Sequence, residues 1–192
     1  MDAVTLSHKE LPESFDGYEI LQISDLIEKT FGSEQNVLIN LIRKQEYDVV
    51  LFTGDYIEDD SDNLIPLEDL LKGMPKGKEM YYILGDKDEN NSITPLVSGN
   101  RFYDLCTLYG VKPLYPGQKI TKNGQSIWLK TNPYPGITEI FDGNPSQELI
   151  DAKKAFDEEY NTTSDPFTIE VSHWPTDIDV EEDFVHDYVR EF

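Results

Sequence analysis

Residues 48–56, Asp48-Val49-Val50-Leu51-Phe52-Thr53-Gly54-Asp55-Tyr56, set four consecutive apolar positions between charged and turn-forming ones. A short unbroken run rich in β-branched and aromatic residues predicts a strand covered on both faces, as in a parallel sheet. It runs into Gly54-Asp55, so a carboxylate stands at the C-terminal end of the strand, the edge where open α/β sheets hold ligands. Two further runs have the same form: Ile20-Leu21-Gln22-Ile23-Ser24-Asp25 and Met80-Tyr81-Tyr82-Ile83-Leu84-Gly85-Asp86-Lys87-Asp88. A single Asp at such a place is ordinary turn chemistry. Three in succession predict a site, because converging carboxylates need a cation or a shared proton.

The rest of the chain divides readily. Residues 1–17, polar and punctuated by Pro12 and Gly17, read as a leading arm, and residues 18–192 as one domain. The first strand is expected over about Tyr18 to Ile23. A helix capped at or near Asn36 should run to about Glu46 with Val37, Leu38, Leu41 and Ile42 inward. With the strand at Val49 it makes a βαβ unit whose crossover should be right-handed. The acidic loop Glu58 to Asp62 lacks the spacing of an EF-hand and reads as solvated. A short helix from Pro66 to Lys72 should stop at Gly73. Asn100 to Tyr109 reads as a helix with Phe102, Leu105, Cys106 and Leu108 inward, ended by Gly110. Lys119 to Leu129 is a hairpin turning on Asn123-Gly124. Asn132 to Gly136 is irregular, and Ser146 to Tyr160 is an amphipathic helix. A strand over Phe167 to Val171 delivers Ser172-His173-Trp174-Pro175 to its end, and a last helix covers about Val180 to Phe192.

Composition narrows the function. A chain of 192 residues can bury a sizeable core without staples. Its 38 acidic against 16 basic residues give a formal charge of −22, which argues against a nucleic-acid backbone or an anionic lipid surface as partner. The same field repels a polyanionic substrate unless cations intervene. Cys106 is the single cysteine, so no internal disulfide is expected; within an apolar helical pattern it reads as a buried structural thiol. No run reaches the ~18 apolar residues of a membrane span, and the N-terminus has no signal-peptide pattern. A soluble chain is expected, cytoplasmic by default, with an anchor upstream of residue 1 left open.

The order of these motifs resembles the calcineurin-like metallophosphoesterase family. Ile23-Ser24-Asp25-Leu26 is similar to the family's opening Asp-x-His motif. Gly54-Asp55 matches the second motif, and Gly85-Asp86-Lys87-Asp88 stands where the third, Gly-Asn-His-Asp or Glu, belongs. Val171-Ser172-His173-Trp174 matches the fourth, a histidine after a strand. The resemblance implies a sandwich of two mixed β-sheets flanked by helices, and two divalent cations that activate a water for attack on phosphorus. It implies metal ligands at Asp25, Asp55, Asp86 and His173.

This chain departs from that pattern at several places. Ile27 replaces the histidine of the first motif, and an alkyl group has no lone pair to donate. Asp86 replaces Asn. Lys87 replaces the catalytic histidine; it could clamp a phosphate but, with an ordinary pKa far above neutral, would shuttle protons poorly. Its ammonium is expected to lie among Asp25, Asp55 and Asp86, in place of a cation. The fifth motif, Gly-His-x-His, is absent from this chain. His186 reads as a solvated residue in the last helix, and His8, in the arm, needs no special role. The family's C-terminal strands are expected to be missing, which would leave a sheet edge open to pairing in a homodimer.

Three readings follow. The first is a metallophosphoesterase-like protein with a degraded metal centre, holding one weakly bound Mn, Fe or Zn or none, that binds an unidentified protein partner or acts structurally. The second is an active phosphodiesterase or phosphatase using a single metal, or a site completed from further C-terminal residues. The third, a plain acidic binding module, requires that the strand-end carboxylates do not converge.

Overall fold

The computed structural model describes residues 2–58, 60–89, 100–131 and 147–173. Four strands, β1 (Ile20–Ile23), β2 (Val49–Phe52), β3 (Glu79–Tyr82) and β4 (Val111–Pro113), form a sheet in that order, and every neighbouring pair is parallel. The second sheet is mixed. β5 (Gly117–Lys122) and β6 (Gln125–Thr131) form an antiparallel hairpin, and β7 (Thr168–Val171) lies parallel to β6. Asn123 and Gly124 both take positive φ at the turn, as the Asn-Gly signature requires.

β2 is central in its sheet and buried at all four positions. Successive strand side chains point to opposite faces, and each face of β2 has its own cover. Val50 and Phe52 join Met80, Tyr82 and Val111 in a cluster with residues of the helices α1 (Asn36–Ile42), α2 (Ile65–Gly73) and α4 (Arg101–Leu108). Val49 and Leu51 join Tyr81 and Ile83 in a second cluster with Leu114, Leu129 and Val171, which cements the two sheets. On the outer side of the second sheet Trp128 meets Phe156 and Tyr160 of α5 (Gln147–Thr162) edge-on, with ring centroids 5.4 and 5.2 Å away. The layers therefore run helix, sheet, sheet, helix.

Two helices turn differently from the expected pattern. α1 closes at Ile42, and Ile39 and Ile42 are its buried residues, whereas Val37 and Leu41 are exposed. The cause lies just before it, where Glu34 and Gln35 both take left-handed backbone angles (φ 51° and 59°) and reset the helix's rotation. In α4, Phe102 and Cys106 are buried as expected but Leu108 is 73% exposed. Asn100 caps α4, its Oδ1 accepting the Phe102 N–H at 2.9 Å. Burial pushes the Cys106 thiol well above its ordinary pKa, as an inert structural cysteine requires. The stretch Asn132 to Gly136, the helix expected from Val180 and His186 lie outside the described residues. Among the described residues no helix is long and apolar enough to cross a membrane.

Candidate metal centre

Parallel strands send all their C-terminal ends to one edge, and here the chain stays ordered beyond them. Past β1 and β2 the two segments remain cross-linked. Thr53 N–H donates to Ile23 O (2.9 Å), Asp25 N–H to Gly54 O (3.0 Å), Ile27 N–H to Asp55 O (3.0 Å) and Glu28 N–H to Tyr56 O (3.1 Å). Following this track puts Asp25, Ile27 and Asp55 at φ of 55°, 44° and 57°. Aspartate visits that region readily, but a β-branched isoleucine there is strained. Strain of this kind persists where the surroundings over-determine the backbone.

Two glycines let the loops meet. A Cβ on Gly54 would lie 2.4 Å from Gly85 N and 2.9 Å from His173 Nδ1, and one on Gly85 would lie 2.2 Å from Asp55 Oδ1. Any side chain at either position would separate the second acidic strand end from the third.

The clamp across that junction is Asp88, in the single-turn helix α3 (Asp86–Glu89). It is 4% exposed, and its carboxylate accepts three backbone N–H groups: Asp55 at 2.7 Å, Tyr56 at 2.9 Å and Gly85 at 2.9 Å. Burial pushes its pKa up to about 6, against the pull of those three bonds. Tyr56, also buried, donates its hydroxyl to Ile83 O at 2.6 Å and accepts the Gly54 N–H at 3.0 Å. In the sequence Asp88 is visible only as the last residue of the Gly85-Asp86-Lys87-Asp88 motif. Its signal was a second carboxylate two residues after a strand-end Asp, in a position that becomes the first turn of a helix.

Asp25, Asp55 and His173 each present a ligand atom, all within 4.8 Å of one another. Asp86 is beside them, its Oδ1 3.3 Å from His173 Nε2; Asp55 Oδ1 is 3.5 Å from the same nitrogen. The strand-end carboxylates do converge, which removes the plain-module reading. His173 comes from the other sheet, at the end of β7, and its Nδ1 lies 2.7 Å from the carbonyl oxygen of Thr53. That carbonyl can only accept, so Nδ1 carries a hydrogen and Nε2 is turned to the carboxylates. Burial raises the Asp55 carboxyl above its ordinary pKa; Asp86 and Asp25 add to the rise, and the Lys87 N–H and His173 oppose it.

Lys87 corrects an expectation. Its backbone N–H reaches Asp55 Oδ1 at 3.2 Å, but its ammonium pairs with Glu58 Oε2 at 3.2 Å instead of taking the cation's place among Asp25, Asp55 and Asp86. The Glu58 side chain is 54% exposed against 26% for Lys87, so the pair forms with the carboxylate still largely in water, whereas a seat against buried Asp55 would bury both charges. Nothing in the acidic run 58–62 singled out Glu58. Asp62, in the same loop, pairs with Arg101 at 2.7 Å. His8 sets its ring edge-on to Phe167, 5.4 Å between centroids.

No curated protein sequence matches the chain. Among solved structures, phosphopantetheinyl hydrolase (PptH) from Mycobacterium tuberculosis is similar, with 15% identity and a TM-score of 0.46 over 88% of this chain and 72% of that one. The protein of unknown function AQ665 from Aquifex aeolicus is also similar, with 17% identity and a TM-score of 0.39 over 87% and 86% of the two chains. The family model for calcineurin-like phosphoesterases matches residues 18–191, from just before β1 to the penultimate residue. The chain belongs to the calcineurin-like phosphoesterase family.

Proposed function

We propose that this protein keeps one divalent-cation site of a metallophosphoesterase centre, has lost efficient two-metal hydrolysis, and acts by binding. The observation that carries this reading is the orientation of His173. With its Nδ1–H given to Thr53 O, the imidazole turns a nitrogen toward carboxylate oxygens at 3.3 and 3.5 Å. A ring nitrogen facing carboxylates needs a positive charge between them, which either a proton on Nε2 or a bound divalent cation would supply. A histidine anchored through its other nitrogen to a backbone carbonyl is the common arrangement of a metal ligand.

Asp25, Asp55 and His173 would hold the ion, with Asp86 alongside, and this donor set of oxygens and one imidazole suits Mn, Fe or Zn. When bound, such a cation polarises a phosphoryl oxygen and acidifies a coordinated water. The chain's own residues support binding better than turnover. Ile27 offers no donor where a second ion would need one. Lys87 can hold a phosphate oxygen but stays protonated near neutral pH and cannot cycle a proton.

The test is calorimetric titration of Mn into metal-stripped protein near neutral pH, alongside hydrolysis of bis-p-nitrophenyl phosphate. One bound Mn, lost in Asp55→Ala, with hydrolysis no faster than in that variant, is the expected result. Absence of Mn binding overturns the cation site. Metal-dependent hydrolysis abolished by Asp55→Ala overturns the binding role and favours a working single-metal phosphoesterase.

A further inference from the structure

Beyond the ligands, the rim of the site carries a second, braced layer of charge. Glu58 lies three residues past Asp55, and its backbone N–H is held by Glu28 Oε1 at 3.2 Å. The other oxygen of Glu28 accepts Asn63 Nδ2 at 3.1 Å. Partial burial works against ionising Glu28, but hydrogen bonds from Ser61, Asn63 and the Glu58 N–H outweigh it, so this support is a settled carboxylate. Glu58 in turn holds the Lys87 ammonium at 3.2 Å, and the Lys87 backbone is itself tied to Asp55 Oδ1. The cation that would meet an incoming phosphate is therefore already engaged by the carboxylate of a residue whose backbone is held from below.

We infer that Glu58 sets the anion selectivity of the site, admitting singly charged phosphodiesters ahead of doubly charged phosphomonoesters. The inference rests on the cation-site reading above and adds the ligand's charge class to it. Asp25, Asp55, Asp86 and Glu58 supply four negative charges and Lys87 and one divalent ion three positive ones, so the site retains at least one negative charge, and more once the neighbouring carboxylates of Glu28 and Asp88 are counted. A dianion meets twice the repulsion that a monoanion does, and it has the greater need of the ammonium that Glu58 occupies. At the separation of neighbouring side chains in a watery rim, the repulsion of a dianion by one such charge is on the order of tenfold in affinity.

The experiment titrates methyl phosphate and dimethyl phosphate, at mildly alkaline pH where the monoester is doubly charged, into the protein with and without Mn. NMR shifts read the weak affinities. Because the Glu58 side chain is largely in water, Glu58→Gln should keep the fold, and Glu58→Ala serves as a second variant with the same expectation. Either variant should bind methyl phosphate about tenfold more tightly than the wild type and dimethyl phosphate only about threefold more tightly, the square root of that gain. Adding Lys87→Met to Glu58→Gln should cancel the gain. No gain for methyl phosphate in either variant, with or without Mn, overturns the inference, as does an equal gain for both esters. A gain in metal-free protein that itself takes up no Mn would sink the cation site while upholding the role of Glu58.

Discussion

Two buried polar side chains stitch loops together in this molecule, and they differ in charge. Gln35, fully buried, accepts the Phe31 N–H at 2.9 Å and donates to Lys29 O at 2.7 Å and Pro66 O at 3.1 Å. It ties the turn before α1 to the start of α2 with a neutral amide whose donors and acceptor match their surroundings. Asp88 ties the ends of β2 and β3 with a carboxylate that meets three N–H groups. An amide there would have to aim a donor at a donor. The neutral stitch joins the loop that follows Glu28 to the start of α2; the charged one stands beneath the candidate metal centre. A fold needing only crosslinks can use amides, whereas the strand-end junction, which offers only N–H groups, calls for an anion despite the cost of burying it.

Removing each stitch should separate these roles. Asp88→Ala leaves three buried N–H groups without an acceptor and should cost about 3 kcal/mol or more, read as a lower urea midpoint, with Mn binding lost. Asp88→Asn, with one acceptor oxygen and an NH2 set against backbone donors, should cost about 1–3 kcal/mol and weaken Mn binding as the Asp55 loop shifts. If Asp88→Asn matched wild type in both, the charge would be incidental. Gln35→Ala should cost about 2 kcal/mol yet leave Mn affinity within twofold. Gln35→Glu should be worse than alanine, because it faces a carboxylate toward two carbonyls. A fall in Mn affinity in these Gln35 variants would erase the distinction.

A gentler probe adds a ligand without touching either stitch. Ile27→His places an imidazole where the backbone is left-handed, a conformation histidine tolerates better than isoleucine. It should leave the melting temperature unchanged and tighten Mn binding about tenfold, the scale on which one added donor alters metal affinity. Unchanged affinity would show that the side chain at 27 does not reach the ion. The smallest expected effect concerns a buried polar group that is not stitched at all. The Tyr47 hydroxyl is buried with no hydrogen-bond partner among the described residues. Tyr47→Phe should therefore be neutral or stabilise by up to about 1 kcal/mol in the same urea assay.

The contrast also explains what the sequence disclosed. β2 was legible because a strand buried on both faces leaves an unbroken apolar run. The hairpin was legible because Asn123-Gly124 must turn with positive φ, and α2 because Pro66 and Gly73 bracket it. The convergence of Asp25, Asp55 and Asp86 followed from parallel strands ending in acids, and the family resemblance added His173. The stitches were hidden. Gln35 sits in a polar stretch that reads as loop, and its left-handed backbone, which turns Val37 and Leu41 outward, has no glycine to announce it. Glu58 was indistinguishable from its acidic neighbours, because pairing with Lys87 depends on where β3 delivers that lysine. Periodicity reports which face is buried; it does not report which polar group answers another across thirty residues.

The bond from His173 to Thr53 spans 120 residues and joins the last described strand to the second. Contacts so distant in the chain close late, after the loops between them have been ordered. An ion held by Asp25, Asp55 and His173 would thus recognise only molecules in which β7 has already docked. It would slow unfolding far more than it hastened folding, and the half-life of the folded state in a chelator would report whether the two sheets ever part before the rest of the molecule.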